Sequence, residues 1–236
     1  MTATISGDDG VRRCCLEEPA AKALLGNFGI ATPRGVRISN VDTDLGQLKS
    51  LACPLAVKLI SPDVQHKSDG GYVALRVDGR DQVVTEIRRM TELAEERGHA
   101  VGGFLVEEMV EPGLEVVVGG FVDPCFGPAV MFGFGGVFVE VLSDVSFAIC
   151  PVSRGDAHDL ICQLTGLALL GGARGGVPTD RETLVDLILK VGGDQGAMMS
   201  NRDRIIEVDL NPVIVHGRTA IAVDALVVLE TEAVCG

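Results

Sequence analysis

Residues 205–215 read Ile-Ile-Glu-Val-Asp-Leu-Asn-Pro-Val-Ile-Val, and beyond His216-Gly217-Arg218 residues 219–228 read Thr-Ala-Ile-Ala-Val-Asp-Ala-Leu-Val-Val. In the first run Glu207, Asp209 and Asn211 alternate with Ile206, Val208 and Leu210, the period of a strand with one polar and one packed face. The second run is apolar apart from Asp224. A turn centred near Gly217 folds the two into a hairpin, and counting outward from it sets Asn211 opposite Asp224. A carboxylate and an amide oxygen so paired suit Mg²⁺, whose octahedron waters and phosphate oxygens complete. The other reading is an acidic face turned to solvent. The isolation of Asp224 among apolar residues favours the cation.

Upstream, strands and helices interleave. Residues 14–30, CCLEEPAAKALLGNFGI, read as a helix with Leu16, Ala20, Ala23 and Leu24 on one face, closed by Gly26 or Gly29. A short extended segment follows at 31–39. Strands are expected at LAVKLIS (55–61) and YVALRVD (72–78), and an amphipathic helix over 79–98 with Val83, Val84, Ile87, Met90 and Leu93 inward. Residues 103–110 and 114–122 read as strands flanking the turn Glu111-Pro112-Gly113, which is either a seam between two lobes or a simple hairpin. After a glycine-rich stretch, helical patterns near 156–170 and 180–191 are separated by a GGARGGVP loop. This mixture of hairpins and helices predicts an α+β fold.

Composition narrows the function. The 236 residues carry a formal net charge of −13, which argues against binding to long nucleic acid, and with no tryptophan and one tyrosine they offer few aromatic surfaces for stacking bases. Seven cysteines without a Cys-x-x-Cys pair predict reduced thiols, neither a disulfide framework nor a zinc site. The N-terminus has no signal-peptide pattern, and charges interrupt every apolar run, so a cytoplasmic protein with no membrane role is expected.

Three further segments carry charged candidates. Lys58 lies mid-strand between Ala56 and Ile60, either as an edge lysine reaching water or as a cation aimed at a phosphate. The loop after it, Gln65-His66-Lys67-Ser68-Asp69-Gly70-Gly71, offers free backbone N–H groups, the cation Lys67 and close backbone approach at its glycines. It is neither a Walker loop nor a dinucleotide fingerprint. His66 is a surface histidine or, in such a loop, a nucleophile for a phosphoryl group. Glu107 and Glu115, across the Pro-Gly turn, form a solvated face or accept from ribose hydroxyls, and the edge from Glu108 to Val110 offers backbone partners to an adenine.

Taken in order, GNFGIATP, PLAVKLISPDVQHKSD, the segment from Leu105 to Phe147 and EVDLNPVIV…AVDA resemble the ATP-grasp β subunits of NDP-forming (ADP-forming) acyl-CoA synthetases, relatives of the succinyl-CoA synthetase β subunit. The resemblance spans about residues 14–230. The polar residues 1–13 before it read as a flexible N-terminus, and the resemblance implies an N-terminal lobe (14–110) and a C-terminal lobe (111–236) that clasp ATP or ADP. It further implies that Lys58, Gln65 and Lys67 meet the phosphates, and that Glu107, Glu108, Val110 and Glu115 hold the adenosine. Gly135 and Gly136 would form the glycine pair of the second lobe, Asn211 and Asp224 would bind Mg²⁺, and His66 would be a catalytic phosphohistidine. The reaction implied is carboxylate, CoA and ATP to acyl-CoA, ADP and phosphate, reversibly. The chain shows no CoA-binding Rossmann pattern, so a hetero-oligomer is expected, with a CoA-binding α subunit bearing the first phosphohistidine.

Two positions depart from the family pattern. Tyr72 stands where a glycine is usual, and Ala148 where an arginine commonly follows DVSF. They motivate a second reading, a noncatalytic ATP-binding module that lost phosphoryl transfer. A third, an ATP-grasp ligase joining a carboxylate to an amine, gives the HKSD segment no role.

Overall fold

The computed structural model describes residues 3–6, 12–39, 44–64, 70–135, 144–172 and 177–231. By their contacts they divide into two compact units, one within Met1–Ala3 and Pro33–Val110 and one within Thr4–Thr32 and Glu111–Gly236. Residues 14–32, assigned above to the N-terminal lobe, therefore group with the second unit, while the break after Val110 falls at the Glu111-Pro112-Gly113 turn. Strands β6 (Gly103–Glu108) and β7 (Leu114–Asp123), which flank that turn, belong to different sheets. They are not a hairpin.

The first unit holds an antiparallel sheet in the order β3-β6-β4-β5, with β3 at Gly35–Ile38, β4 at Leu55–Ile60 and β5 at Val73–Val77. The long helix Gly79–Arg97 buries Val83, Ile87, Met90 and Ala94 at helical spacing, together with Leu55, Val57, Leu59, Phe104 and Val106 of the sheet. Gly98 ends it in the left-handed conformation, φ 71°. Because strand side chains alternate, Ala56, Lys58 and Ile60 take the face away from this helix.

The second unit has an eight-stranded sheet among the described residues, ordered β1-β2-β12-β10-β7-β8-β9, with β11 also on β10. Its strands are β1 (Ala3–Ser6), β2 (Arg12–Cys15), β8 (Gly127–Phe134), β9 (Val145–Ile149), β10 (Ile205–His216), β11 (Thr219–Ala222) and β12 (Leu226–Thr231). Helix α1 is Glu18–Gly26; with the Gly79–Arg97 helix as α2, the others are α3 (Arg154–Cys162), α4 (Arg181–Gly192) and α5 (Ala197–Ser200). Leu184, Ile188 and Val191 of α4 share one core with Val116, Val118, Phe132, Phe134, Val208 and Leu210. At the seam Gly113 has no room for a side chain, since a Cβ there would meet the Val215 carbonyl oxygen.

Four local expectations are corrected. Cys14 and Cys15 are in strand β2, paired with Leu229 and Val228 of β12; the helix starts later, with Pro19 in its first turn. Its buried positions are Glu18, Ala21, Lys22 and Leu25, whereas Ala20 and Ala23 are exposed. The helical pattern near 156–170 is α3 followed by a separate 3-10 segment, Thr165–Gly171. The return strand of the C-terminal hairpin is broken into β11 and β12, and Asp224 lies in the break.

Candidate functional site

The first unit presents Lys58 from strand β4, which lies between β6 and β5 and is not an edge. Only 4% of Lys58 is exposed, so the reading of an edge lysine reaching water is overturned. Lys58 Nζ lies 3.1 Å from Glu107 Oε2, and Glu107 is 2% exposed, so it is no part of a solvated face. Sheet register explains the meeting. Ala56 pairs with Glu107 and Lys58 with Leu105, which puts Lys58 and Glu107 on one face, diagonally across two strands. Gly35 pairs with Glu107 from the other side; a Cβ there would come within 2.7 Å of the Glu107 Cγ.

Glu108 alternates to the opposite face, where its carboxylate accepts from the Ala52 N–H at 2.8 Å. The backbone N–H groups of Glu108 and Met109 donate to the carbonyls of Arg34 and Pro54 at 2.9 and 3.0 Å. They are thus already committed along the expected adenine edge, and Val110 ends it. Gln65, His66, Lys67 and Gly136 lie outside the described residues.

Tyr72 does not crowd the Lys58 face. It is buried in the helix-side core, with its hydroxyl 2.9 Å from His99 Nδ1 and the Arg97 guanidinium 5.5 Å above its ring. Two arginines of α2 hold the neighbouring backbone: Arg97 donates to the Gly70 carbonyl at 2.8 Å and Arg89 to that of Gly71 at 3.1 Å.

In the second unit the sequence-derived pairing of the hairpin holds. Val213 pairs with Ala222 and Asp209 with Leu226, so the register carried through the break sets Asn211 opposite Asp224. A bulge of β10 against β7 falls between Leu210 and Val213. Before it Val208 and Leu210 are buried, after it Val213 and Val215, so the inward phase switches by one residue at Asn211-Pro212. Glu207, Asp209 and Asn211 lie on the face away from the core. Glu115 of β7 is exposed, and Gly135 N–H donates to its carbonyl at 2.7 Å. A Cβ at Gly135 would approach the Glu115 Cβ to 3.0 Å, so a glycine is what lets the two backbones meet.

Electrostatics single out a residue the sequence reading placed on this face without a role. Burial, then the carboxylates of Glu207 and Asp224, push Asp209 up to about 6. Among the described residues no group of three His, Cys, Asp or Glu side chains is arranged to hold a metal by itself. A donor set of one amide and one carboxylate beside further negative charge still fits Mg²⁺, a hard cation that keeps waters and phosphate oxygens as its remaining ligands. Neutralising that charge is the service a divalent cation would perform here.

Two more buried acidic groups went unread. Glu18 Oε1 pairs with Lys22 Nζ at 2.8 Å, and Lys22 also donates to the Val223 carbonyl at 2.7 Å. Their signal was present, since positions 18, 22 and 25 share one helical stripe. Asp144 accepts the backbone N–H groups of Thr165 and Gly166 at 2.9 and 2.8 Å, a contact between distant segments with no local pattern. Ala148, on the core-facing side of β9, packs against the core of the second unit, while Phe147 turns to the exposed face.

Among the described residues no helix is long and apolar enough to cross a membrane. A family described as an ATP-grasp domain matches residues 10–229. The subunit beta of acetate–CoA ligase [ADP-forming] II from Pyrococcus furiosus is 37% identical over 222 residues, 92% of this chain and 93% of that protein. An acetyl-coenzyme A synthetase 1 of Ca. Korarchaeum cryptofilum, in complex with coenzyme A and Ca-AMPCP, superposes with a TM-score of 0.85 at 34% identity, covering 91% of this chain and 93% of that one. A further structure of the same synthetase holds coenzyme A and Mg-AMPPCP with a phosphohistidine segment pointing towards the nucleotide binding site; it matches at 34% identity with a TM-score of 0.76, covering 91% and 92% of the two chains.

Proposed function

The chain belongs to the ATP-grasp domain family, and from that premise we propose how its residues serve an ADP-forming acyl-CoA synthetase as its nucleotide-binding β subunit. The full-length kinship to subunits of that enzyme gives the activity: acyl-CoA, ADP and phosphate interconvert with the carboxylate, CoA and ATP. The observation that carries the residue-level reading is Lys58, an ammonium held in the middle of an inner strand and balanced by Glu107.

In this reading the two lobes clasp ATP or ADP. Lys58, with Gln65 and Lys67 of the following loop, meets the phosphates, where low dielectric strengthens a charge-assisted hydrogen bond. Val110, Glu108 and Glu115 flank the adenosine. Glu107 is the internal counter-charge of Lys58, and it reaches the nucleoside only as nucleotide phosphates replace it beside the lysine. Asn211 and Asp224 hold Mg²⁺, which supplies charge neutralisation on the phosphate oxygens when bound.

His66 is the nucleophile. A CoA-binding α subunit carries the first phosphohistidine. In the ATP-forming direction a ring nitrogen of His66 attacks that phosphorus, the donor P–N bond breaks and a new P–N bond forms. The ADP β-phosphate oxygen then attacks, the His66 P–N bond breaks and ATP leaves. Carrying the phosphoryl group on histidine keeps it from water, so its transfer free energy is retained. In this reading the chain works in the cytoplasm.

The noncatalytic reading rested on Tyr72 and Ala148. Tyr72 is built into the core beside α2 and leaves the Lys58 face clear; Ala148, on the core-facing side of β9, supplies no cation in place of the arginine, so it is the position on which that reading still stands. Intact-mass measurement of the chain with its partner subunit and Mg-ATP tests the relay. An acid-labile gain of one phosphoryl mass, absent in His66→Ala, is expected. A chain that binds Mg-ADP but never gains that mass would return the noncatalytic module.

A further inference from the structure

The break between β11 and β12 puts Val223, Asp224 and Ala225 outside the strands that pair with β10. Several backbone groups in and beside it have identifiable partners. Ala222 N–H donates to the Ala31 carbonyl at 2.9 Å, Val223 N–H to the Pro212 carbonyl at 2.9 Å, and Ala225 N–H to Asp224 Oδ1 at 2.9 Å. The Val223 carbonyl receives a charged donor, Lys22 Nζ, from helix α1 at 2.7 Å.

That choice of donor is costly. Lys22 and its counter-ion Glu18 are 6% and 4% exposed, and burying both charges loses hydration that their attraction does not fully restore. A neutral hydroxyl could satisfy one carbonyl at lower cost. A buried ionic contact fixes a unique geometry, however, and here the fixed atom is the carbonyl of the peptide leading into Asp224. The preceding peptide unit is tied through Val223 N–H to the carbonyl of Pro212, which follows Asn211. One buried pair thus steadies both side chains that face each other across the break.

We infer that Glu18 and Lys22 are positioning residues for the divalent-cation site, holding the Val223–Ala225 break so that Asp224 presents its carboxylate opposite Asn211. The inference rests on the reading of Asn211 and Asp224 as the cation ligands. Outer residues that orient metal ligands ordinarily change affinity by about 10–100-fold when replaced.

The test is Mn²⁺ binding to the full chain with ADP present, followed by the paramagnetic signal of free Mn²⁺, together with thermal unfolding. Lys22→Met leaves Glu18 buried without the lysine and is expected to weaken the fold. The double variant Glu18→Leu, Lys22→Met removes both charges and keeps an apolar helix face, so it is expected to regain much of the stability lost in Lys22→Met, short of the cost of the lost bond to the Val223 carbonyl. Its Mn²⁺ affinity is expected to fall about tenfold or more. Lys22→Arg, which keeps a cationic donor, is expected to recover part of the loss. If the double variant folds and binds Mn²⁺ within twofold of the native chain, the positioning role is wrong. If Asp224→Asn also leaves Mn²⁺ affinity unchanged, the ligand assignment itself is what fails.

Discussion

Glu107 Oε2 stands 3.1 Å from Lys58 Nζ, and both side chains are all but sealed from water on the sheet face away from α2. A buried pair of this kind contributes little net stability as a pair, yet it penalises the loss of one member, because the survivor's charge is left without its balance. Glu107→Ala is therefore expected to destabilise the first unit by about 3–5 kcal/mol, as read by urea unfolding. Lys58→Met with Glu107→Leu, apolar on both sides, should recover most of that stability while nucleotide binding stays lost. Recovery of ADP binding in the double variant would remove Lys58 from the phosphate site.

The Asn211–Asp224 pairing predicts a metal dependence. Asp224→Asn keeps size and hydrogen bonding but removes a negative ligand, so ADP binding should require at least about tenfold more Mg²⁺. Asn211→Ala should shift the requirement in the same direction, while binding of ADP without metal changes little. Calorimetric ADP titrations at stepped Mg²⁺ concentrations read both. Unchanged Mg²⁺ dependence in both variants would move the cation to other residues.

Much of this arrangement was legible in the chain because it is local. Alternation in Glu207-Val208-Asp209-Leu210-Asn211 encodes a strand, and the turn at Gly217 fixes the register that sets Asn211 against Asp224. The period of Val83, Ile87 and Met90 encodes α2 in the same way. What escaped depends on distant pairing. Cys14 and Cys15 fit a helix by spacing until β12 recruits them into the sheet. Nothing near Lys58 says that β6 and β5 will flank its strand, and so whether it is an edge lysine or a buried cation. Tyr72 reads as a clash in a glycine loop because the loop's exit is seen without His99 and α2, into which the ring turns.

Asp144 predicts a pH dependence. Burial alone would raise its pKa, but the backbone N–H and hydroxyl of Thr165 and the N–H of Gly166 bond the charged form and hold it below the ordinary carboxylate range. A carboxyl lowered on folding contributes stability that is fully present above its unfolded value of about 3.9 and is lost as pH falls through the folded value. Asp144→Asn should thus lower the unfolding midpoint by a few degrees near neutrality. The difference from the native chain should narrow as pH drops below about 4. A gap constant from neutrality to acid would mean that the carboxylate's charge is not what fastens the Thr165–Gly171 segment.

Gly135 tests whether the second unit reaches the nucleotide through Glu115, as proposed. Its N–H donates to the Glu115 carbonyl at 2.7 Å, and an added Cβ would sit 3.0 Å from the Glu115 Cβ and 3.1 Å from its carbonyl carbon. Those neighbours include backbone, so Gly135→Ala must part β7 from the end of β8 by a few tenths of an ångström, at a cost of about 1 kcal/mol. The displacement falls on Glu115 itself, whose side chain is exposed and whose strand is otherwise pinned by Val116 and Val118 in the core. ADP affinity should fall in Gly135→Ala by a factor similar to that in Glu115→Gln, and the double variant should lose little more than either alone, because both act on one contact. Full additivity would show that Gly135 reaches the nucleotide by its own backbone and not through Glu115.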